Sequence, residues 1–258
     1  MIYLKNAQQL EAMRKAGAAL YEVEQRLREI IKPGITTADI DAYTAELIRK
    51  AGAKPSFLHY QGYPASVCCS INEQVVHGIP SPQTVLKQGD IISVDGGLIL
   101  DGWQADSAFT VGVGKITPAA QQLIDVTERC FFLGARQAIV GNRLGDIGHA
   151  VQEYAEAHGY GVIRDLTGHG IGRAMHEDPA VYNFGRAGEG KKLHAGMTIC
   201  IEPMIAMGGW PVEQLEDGWT VVTQDGSPCS HYEHTLAINE QGLPELLTYP
   251  GYVFPEEP

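Results

Sequence analysis

A short pattern of residues occurs twice in this chain, with the second copy 107 positions after the first. The matching residues of the two copies are Gly34 and Gly141, Asp39 and Asp146, Ile40 and Ile147, and Gly52 and Gly159. Each copy lies where apolar residues follow the spacing of two successive helices, and β-forming runs come after each helical pair. The repeat predicts two similar αα–β halves. Two such halves that face each other leave a cleft between them, which is a favoured place for a functional site.

Helical spacing of apolar residues predicts four helices. The first is expected at 7–31, the second starts at Thr36 or Thr37 and closes at Gly52, and the others are expected at 118–140 and 144–158. Strands are expected at 91–100, 103–111, 197–204, 219–222 and 232–238. Asp101-Gly102 joins the first two strands and is a strong signal for a two-residue hairpin turn, which fixes their register.

The size and composition of the chain limit its class. With 258 residues, it fits one large α/β domain or two halves that share a core. A formal net charge of −12 argues against broad nucleic-acid binding, which requires a basic face. No run of about 18 apolar residues predicts a membrane span, and the N-terminal stretch reads as an amphipathic helix rather than a secretory signal. Five cysteines without framework spacing indicate free thiols in a reducing compartment, so we expect a cytoplasmic protein.

The hairpin places two carboxylates on one face of the sheet. Its two-residue turn puts Asp95 opposite Ala108. Asp106 is then the diagonal neighbour of Ala108 on the same face. Two carboxylates on an apolar strand face repel each other and lose solvation unless a cation or a proton lies between them. The alternative is that Asp95 belongs to a turn and Asp106 lies in solvent at a sheet edge.

Three further residues have the chemistry of metal ligands. His169 lies within the run TGHGIG, whose glycines permit a ligand to come close to the imidazole. Glu202 ends a β-rich run just before Pro203, and Glu233 enters another one. Taken alone, each glutamate could face solvent and His169 could be an exposed residue of a glycine turn. With the two aspartates, they form a set of four carboxylates and one imidazole that suits two divalent ions such as Mn, Fe, Co or Zn. Such two-metal sites usually activate water for hydrolysis.

Several segments resemble the bacterial-type (type I) methionine aminopeptidases of the pita-bread metallopeptidase family. They are residues 62–73 (GYPASVCCSINE), 77–80 (HGIP), 168–179 (GHGIGRAMHEDP), 201–204 (IEPM), 217–221 (DGWTV) and 232–235 (YEHT). The resemblance extends over nearly the whole chain. It implies an α+β pita-bread fold, in which two pseudo-symmetric αα–β halves, roughly 1–112 and 113–258, surround a central metal cleft with a curved antiparallel sheet. It also implies that residues 1–258 form a single catalytic metallopeptidase domain.

The resemblance assigns the metal ligands. Asp95 would chelate one ion, while Asp106 and Glu233 would bridge both ions. His169 and Glu202 would complete the second site. The implied cofactors are two divalent metal ions drawn from Co, Mn, Fe, Zn and Ni, whose identity oxygen and imidazole ligands do not define.

The same resemblance implies the reaction, which is hydrolytic removal of the initiator methionine from nascent proteins and peptides with a small second residue. A hydroxide that bridges the metals would attack the first peptide carbonyl, and Glu202 would accept a proton from that water. His77 and His176 would position the substrate, stabilise the oxyanion and help to protonate the leaving amine. A pocket for the methionine side chain would be lined by Tyr63, Cys68, Met175 and Trp219. Taken singly, each of these four residues is better interpreted as part of the core.

Two positions depart from the family pattern. Gly96-Gly97 follows Asp95 where a β-branched or hydroxyl residue is often found, and it is expected to leave room beside the metal. Gln61 stands where related bacterial enzymes commonly carry a histidine, so a proton donor is not expected there. Neither change affects a ligand, so we expect catalysis to survive both.

The expected partners are nascent polypeptide N-termini that begin with methionine, with a transient contact to the ribosome. We expect a monomer that binds neither nucleic acid nor membrane. A proline-directed peptidase of the same fold is the first alternative, although such enzymes usually carry an additional N-terminal domain. The second alternative is a non-catalytic binding relative that has lost its metals, and the complete ligand set argues against it.

Overall fold

The helices form close to where the helical spacing of apolar residues places them. The computed structural model describes residues 1–255. The helices are α1 (Ala7–Ile30), α2 (Thr37–Lys50), α3 (Pro118–Arg136) and α4 (Leu144–Ala157). Helix α3 ends four residues before the expected position, and the Gln137 carbonyl just beyond it accepts a hydrogen bond from the Asn142 side chain (3.0 Å). Within residues 1–255, every helix is too short or too polar to cross a membrane.

The other regular elements of residues 1–255 are mainly β-strands. In chain order they are β1 (Lys54–Pro55), β2 (Val67–Ile71), β3 (Gln74–Val76), β4 (Ile91–Leu100), β5 (Trp103–Gly112), β6 (Gly161–Val162), β7 (Gly168–Gly170), β8 (Glu177–Val181), β9 (Thr198–Ile201), β10 (Met204–Ala206), β11 (Val212–Gln214), β12 (Val221–Thr223), β13 (Cys229–His231), β14 (Glu233–Ile238) and β15 (Pro244–Leu246). One antiparallel sheet has the order β1-β4-β5-β14-β9-β7-β8, with β2 also paired to β4 and β15 to β14. Two smaller sheets have the orders β13-β10-β6 and β11-β12-β3.

The repeated sequence pattern forms the same local structure in both halves. Asp39 accepts a hydrogen bond from the amide that caps α2 (2.9 Å), and Asp146 accepts the equivalent bond at the start of α4 (2.7 Å). Gly52 follows α2 with a φ of 73°, and Gly159 follows α4 with a φ of 79°. Glycine adopts this left-handed conformation without strain because it has no Cβ atom. The two αα–β halves expected from the repeat are confirmed.

The two halves join along one seam of the large sheet, where β5 of the first half pairs with β14 of the second. On the first side, α1 and β5 share a buried apolar cluster that includes Leu20 and Phe109. On the second side, α3 and β14 share another cluster that includes Phe131 and Leu236. Burial of each such side chain stabilises the fold by about 1.5–3 kcal/mol. The helices therefore hold the strands of the seam from one face and leave the other face open to a cleft.

The single strand expected at 197–204 is divided in two. β9 ends at Ile201 and β10 begins at Met204, so Glu202 and Pro203 lie between them. Proline has no amide hydrogen and does not donate to a strand ladder. The Glu202 carbonyl instead accepts a hydrogen bond from the Asn183 side chain (2.9 Å). This break in the strand lets the Glu202 side chain enter the cleft.

Helix α1 packs closely against the backbone of Leu247 at a position that has no side chain. A Cβ on Gly17 would lie 2.2 Å from the Leu247 carbonyl oxygen, and the Leu247 amide donates to Thr235 of β14 (2.9 Å). We expect Gly17→Ala to lower the free energy of unfolding by about 1–3 kcal/mol, because the backbone must move to admit the methyl group. Urea unfolding of the metal-free protein measures the change.

Helix propensity alone gives the opposite sign for this substitution, a gain of about 1 kcal/mol. The control is Ala18→Gly on the same helix, which reports that propensity at a position that is only partly buried. A Gly17→Ala protein more stable than the wild type would contradict the close contact.

Candidate metal centre

The five expected ligands lie on the five central strands of the large sheet. Strands β4, β5, β14, β9 and β7 are neighbours in this order, and each carries one ligand or ends beside it. In the same order the ligands are Asp95, Asp106, Glu233, Glu202 and His169. All five line one cleft, which has a volume of about 290 Å³. The fold thus brings together residues that are spread over more than half of the chain.

The hairpin has the register that the Asp101-Gly102 turn predicts. Asp95 pairs with Ala108, and Asp106 lies two residues before Ala108 on the same strand face. Ala108 also pairs with Glu233 across the seam, so three carboxylates surround one small methyl group. Asp95 is 9 % exposed, Asp106 is 4 % and Glu233 is 2 %. A turn role for Asp95 and a solvent-facing role for Asp106 or Glu233 are therefore wrong.

His169 and Glu202 complete the group. The Nε2 atom of His169 lies 3.6 Å from Asp106 Oδ2 and 3.7 Å from Glu202 Oε1. The other ring nitrogen of His169 contacts the Gly170 carbonyl oxygen (2.9 Å), which orients the ring toward the carboxylates. Glycine is required beside His169, because a Cβ on Gly168 or Gly170 would lie 2.4 or 2.1 Å from a backbone oxygen of a neighbouring strand.

The buried carboxylates repel one another and lack compensating partners. Asp95 Oδ1, Asp106 Oδ1 and Glu233 Oε1 have no hydrogen-bond partner among the residues described. Burial, and then the charge of neighbouring carboxylates, raises the pKa of Asp95 and of Glu233 well above the usual range. Burial also raises the pKa of Glu202 to about 8. Divalent cations would offset this repulsion and bind the unpartnered oxygens, so the residues present fit a metal site.

The imidazole of His169 responds to the same negative field. Burial lowers its pKa, but the negative charges of Asp106 and Glu202 outweigh burial and raise that pKa to about 9. In the metal-free protein His169 therefore supplies a positive charge where the group has too many negative ones. A metal ion at the same place would compete with this proton, because ligation requires the neutral ring.

Thr235 fixes the backbone of one ligand. Its hydroxyl accepts a hydrogen bond from the Asp106 amide (3.1 Å) and donates one to the Asp106 carbonyl (2.8 Å). Cys200 lies close to the ligand group and approaches the same hydroxyl (3.4 Å). Burial, and then the charges of Glu233 and Asp106, raises the pKa of the Cys200 thiol well above the usual range. Because metals bind the thiolate, we assign Cys200 to packing.

Two further histidines, His77 and His176, face the cleft beside the carboxylates. His77 has a left-handed φ of 59°, a conformation that non-glycine residues adopt mainly at functional sites and turns. Burial lowers the pKa of His77, while desolvation and then the charge of His169 lower the pKa of His176 to about 4. The hydroxyl of Tyr60 lies 2.7 Å from His176 Nδ1. If this hydroxyl donates, the ring proton of neutral His176 is on Nε2.

Three of the four expected pocket residues line the cleft: Tyr63, Cys68 and Trp219. The rings of Tyr63 and Trp219 meet edge to face with centroids 5.0 Å apart, and Trp219 also lies 6.2 Å from the His77 ring. Met175 is buried in a different apolar cluster, which includes Met13 and Ile171, and it is not among the described residues that line the cleft. A pocket role for Met175 therefore stays a prediction.

The room expected beside Gly97 is already filled. A Cβ at this position would lie 3.1 Å from each of three atoms, namely the Ala105 carbonyl oxygen, Met175 Cε and Phe57 Cε1. Such distances are tighter than ordinary van der Waals contact. The glycine thus lets two large side chains approach the strand that carries Asp95, and the expectation of open space there is wrong.

Sequence reasoning missed His231 and Tyr60, which both line this cleft beside the predicted residues. His231 lines it two positions before Glu233, and the alternation His231-Tyr232-Glu233 is the signal that places both on one side of an extended chain. Burial lowers the pKa of His231 to about 3, so its ring is neutral. Tyr60 had no such signal, because its contact with His176 joins residues far apart in the sequence.

Comparisons with known proteins agree with this arrangement. The metallopeptidase family M24 matches residues 11–240. A methionine aminopeptidase of Clostridium acetobutylicum is 53% identical over 248 residues, which cover 96% of this chain and 99% of that protein. The crystal structure of a methionine aminopeptidase from Thermotoga maritima matches with a TM-score of 0.94 and 44% identity, covering 96% of this chain and 99% of that one.

More distant structures share the fold alone. A prolidase from Pyrococcus furiosus matches with a TM-score of 0.75 at 20% identity, and the match covers 96% of this chain and 66% of the prolidase. The α+β pita-bread architecture expected from the resemblance is confirmed by the antiparallel sheet and by the close structural match. On the extent of the family match and the identity to full-length relatives, the chain belongs to metallopeptidase family M24.

Proposed function

We propose that this protein is a metal-dependent aminopeptidase that removes the N-terminal methionine from nascent proteins and peptides with a small second residue. One observation carries the proposal: five ligand side chains from five neighbouring strands meet in a cleft whose wall is aromatic and sulfur-containing. The similarity to a methionine aminopeptidase over nearly the full length of both chains supports the same reaction.

We place two divalent metal ions in the cleft. Asp95 would hold one ion, Asp106 and Glu233 would contact both, and His169 with Glu202 would hold the other. When bound, such ions polarise a carbonyl oxygen and lower the pKa of water so that it becomes a nucleophile at neutral pH. Membership of family M24 and the buried ligand cluster support the use of divalent metal. Co, Mn, Fe, Zn and Ni all suit oxygen and imidazole ligands, so availability decides among them.

Glu202 is the proposed proton acceptor from the attacking water. It is the least buried of the four carboxylates, with a side chain that is 14 % exposed, so water and substrate reach it. A divalent ion beside it would keep this carboxyl ionised near neutral pH, so that it can accept the proton. The break in the strand at Pro203 leaves this side chain outside the ladder. The proton can then pass to the leaving amine.

His77 and His176 are the proposed donors to the substrate carbonyl and to the departing amine. Both have lowered pKa values, so both are neutral near pH 7 and keep one N–H for donation. Neutral donors that are already oriented stabilise negative charge as it develops without reorganising at that moment. Tyr60 provides this orientation for His176 through its contact with Nδ1 (2.7 Å).

Tyr63, Cys68 and Trp219 form the proposed pocket for the methionine side chain. A thioether is polarizable and packs well against aromatic edges, which matches a wall of two rings and a thiol. Met175 is the fourth residue proposed for this pocket.

We also propose that residues 1–258 form one catalytic domain that acts as a monomer on nascent chains in the cytoplasm, in transient contact with the ribosome. Ligands from both halves meet at the β5–β14 seam, which supports one domain. The cysteines Cys68, Cys69, Cys130, Cys200 and Cys229 are all free thiols, which suits a reducing compartment.

Two other functions are less well supported. A proline-directed peptidase shares the fold, but the match to a prolidase is 20% identical while that to a methionine aminopeptidase is 53%. A binding protein without metals would have only protons to offset the charge of four carboxylates in one cleft, and a binding function gives no reason to keep them together there.

Methionine release from Met-Ala-Ser, measured beside Ala-Pro-Ser, tests the proposal. Chelator-stripped protein receives Mn, Co, Fe, Zn or Ni separately, and Glu202→Gln protein of verified metal content is the control. We expect metal-dependent release from Met-Ala-Ser by the wild type and a loss of about a hundredfold or more in the variant. Cleavage of Ala-Pro-Ser alone would favour the proline-directed peptidase. If the metal-loaded protein hydrolysed neither peptide, both peptidase functions would be contradicted.

The raised carboxyl pKa values make the stability of the metal-free protein depend on pH. Glu202 titrates near 8 in the fold but near about 4.3 when unfolded, so protonation stabilises the folded state. This stabilisation is complete below about pH 4 and is lost as the pH rises through 8. Asp95 and Glu233 contribute with the same sign. We expect the free energy of unfolding to fall between about pH 6.5 and about pH 9.

Urea unfolding of chelator-treated protein across this pH range measures the effect. Glu233→Gln should reduce the pH dependence, because one titrating carboxyl has been removed. Saturating Mn²⁺ should abolish it, because the ion replaces the protons. A metal-free protein that is equally stable at both ends of the range would show that the buried carboxyls do not carry these protons.

Enlarging the pocket should relax the preference for methionine. We expect Trp219→Ala to reduce the ratio of kcat/KM for Met-Ala-Ser over Leu-Ala-Ser by about tenfold or more, because contacts in an apolar pocket contribute about 1–3 kcal/mol to discrimination. Metal content should not change. The control is Trp210→Ala, which removes a tryptophan that is 40% exposed and is not among the described lining residues. An unchanged ratio would exclude Trp219 from the pocket.

A further inference from the structure

His231 is a buried residue of the cleft to which the mechanism above gives no role. Its side chain is 2% exposed, and it ends β13, which pairs with β10. The hydroxyl of Thr110 accepts a hydrogen bond from the His231 amide (3.0 Å) and donates one to its carbonyl (2.8 Å). The backbone of His231 is therefore held on both sides by a strand of the large sheet.

The alternation of an extended chain directs His231 toward the ligands. Tyr232 alone separates β13 from β14, so His231 and Glu233 project to the same side. Tyr232 projects to the other side and contacts the Phe131 ring with centroids 5.4 Å apart. The direction of the imidazole is thus set by core packing on the far side of the chain.

Neither ring nitrogen of His231 has a hydrogen-bond partner among residues 1–255. Its Nε2 atom lies 3.9 Å from Glu202 Oε2 and 3.8 Å from Glu233 Oε2. Both separations are too long for a hydrogen bond. A buried polar group without a partner is destabilising. His231 Nε2 and the two carboxylate oxygens therefore surround a position where one further group can bind to all three atoms.

The distances around His231 closely match those around His169. His169 Nε2 lies 3.6 Å from Asp106 Oδ2 and 3.7 Å from Glu202 Oε1. The two imidazoles approach different oxygens of Glu202, so they flank this carboxylate. Donor atoms at such separations can share one cation at about 2.0–2.2 Å after a small contraction.

We propose that His231 is a sixth ligand of the metal centre, which binds a divalent cation through Nε2 together with Glu202 and Glu233. The inference rests on the proposed function, since that function supplies the two-metal centre. With His231 as a ligand, the centre has two imidazoles, one on each side of Glu202. Without it, His169 would be the single imidazole ligand. Imidazole favours transition metals over Mg²⁺ and Ca²⁺, so this side of the centre selects Mn, Fe, Co, Ni or Zn.

Calorimetric titration of chelator-stripped protein with Mn²⁺ tests the ligand. His231→Gln keeps a polar side chain and His231→Leu keeps the volume, and both should bind one of the two ions about tenfold more weakly or worse. The matched control is His176→Asn in the same cleft. It should keep both affinities and lose turnover of Met-Ala-Ser. Far-ultraviolet circular dichroism reports whether each variant is folded.

X-ray absorption of Co²⁺-loaded protein counts the imidazoles directly. A sixth ligand predicts an average of one imidazole per cobalt in the wild type and half of that value in His231→Gln. A residue that only positions Glu202 or Glu233 would not change this count. The wild-type value tests the inference without any variant.

The possible failures are distinguishable. Fewer than one imidazole per cobalt in the wild type, or unchanged Mn²⁺ affinity in both His231 variants, would overturn the inference and leave the aminopeptidase function standing. Weaker Mn²⁺ binding with an unchanged imidazole count would also overturn ligation. Conversely, a wild-type protein that binds two ions, one of them through His231, but does not hydrolyse Met-Ala-Ser would uphold the ligand and refute the proposed function.

Discussion

Repulsion among four buried carboxylates is the interaction on which the rest of this structure depends. Asp95, Asp106, Glu202 and Glu233 meet in one cleft, and three of them have an oxygen without a partner among the described residues. Burial of such charges is destabilising unless protons or cations offset it. The raised pKa values show that protons do so in the metal-free protein. Metal binding must therefore release protons, which couples folding, metal affinity and pH in one equilibrium.

The seam between the halves explains how the fold withstands this repulsion. The first half supplies two ligands and the second half supplies three, so neither half holds a complete site. Behind the ligands, Ser107 donates a hydrogen bond to the Glu233 carbonyl (2.9 Å), and Thr235 bonds both backbone groups of Asp106. These side-chain bonds supplement a β5–β14 ladder in which Glu233 and His234 pair with β5. The helices press the same strands from the far face, so the ligands are fixed before any metal arrives.

Features that depend on neighbours in sequence were predictable, and features that depend on distant packing were not. The Asp101-Gly102 turn fixed the pairing of Asp95 with Ala108, and the repeat gave matching caps at Asp39 and Asp146. By contrast, Gly97 implied open space that Phe57 and Met175 fill from other parts of the chain. The resemblance supplied the ligand set but did not indicate His231. The proposed role of His231 depends on its distance from Glu202, which only the folded structure gives.

The cleft has a charged part, formed by the four carboxylates and called the floor here, and a neutral part, formed by His77, His176, Tyr63 and Trp219 and called the wall. This division accounts for its chemistry. On the floor, two divalent ions would cancel the charge of four carboxylates, so a substrate amine meets little net field there. On the wall, His77 and His176 are neutral near pH 7, and Tyr63 and Trp219 present ring edges and faces. In the proposed mechanism, substrate recognition would therefore depend on apolar fit and on directed N–H donors, not on net charge. Glu202 lies where floor and wall meet and is the most exposed carboxylate of the set, which is the position that a ligand needs if it also exchanges protons with substrate.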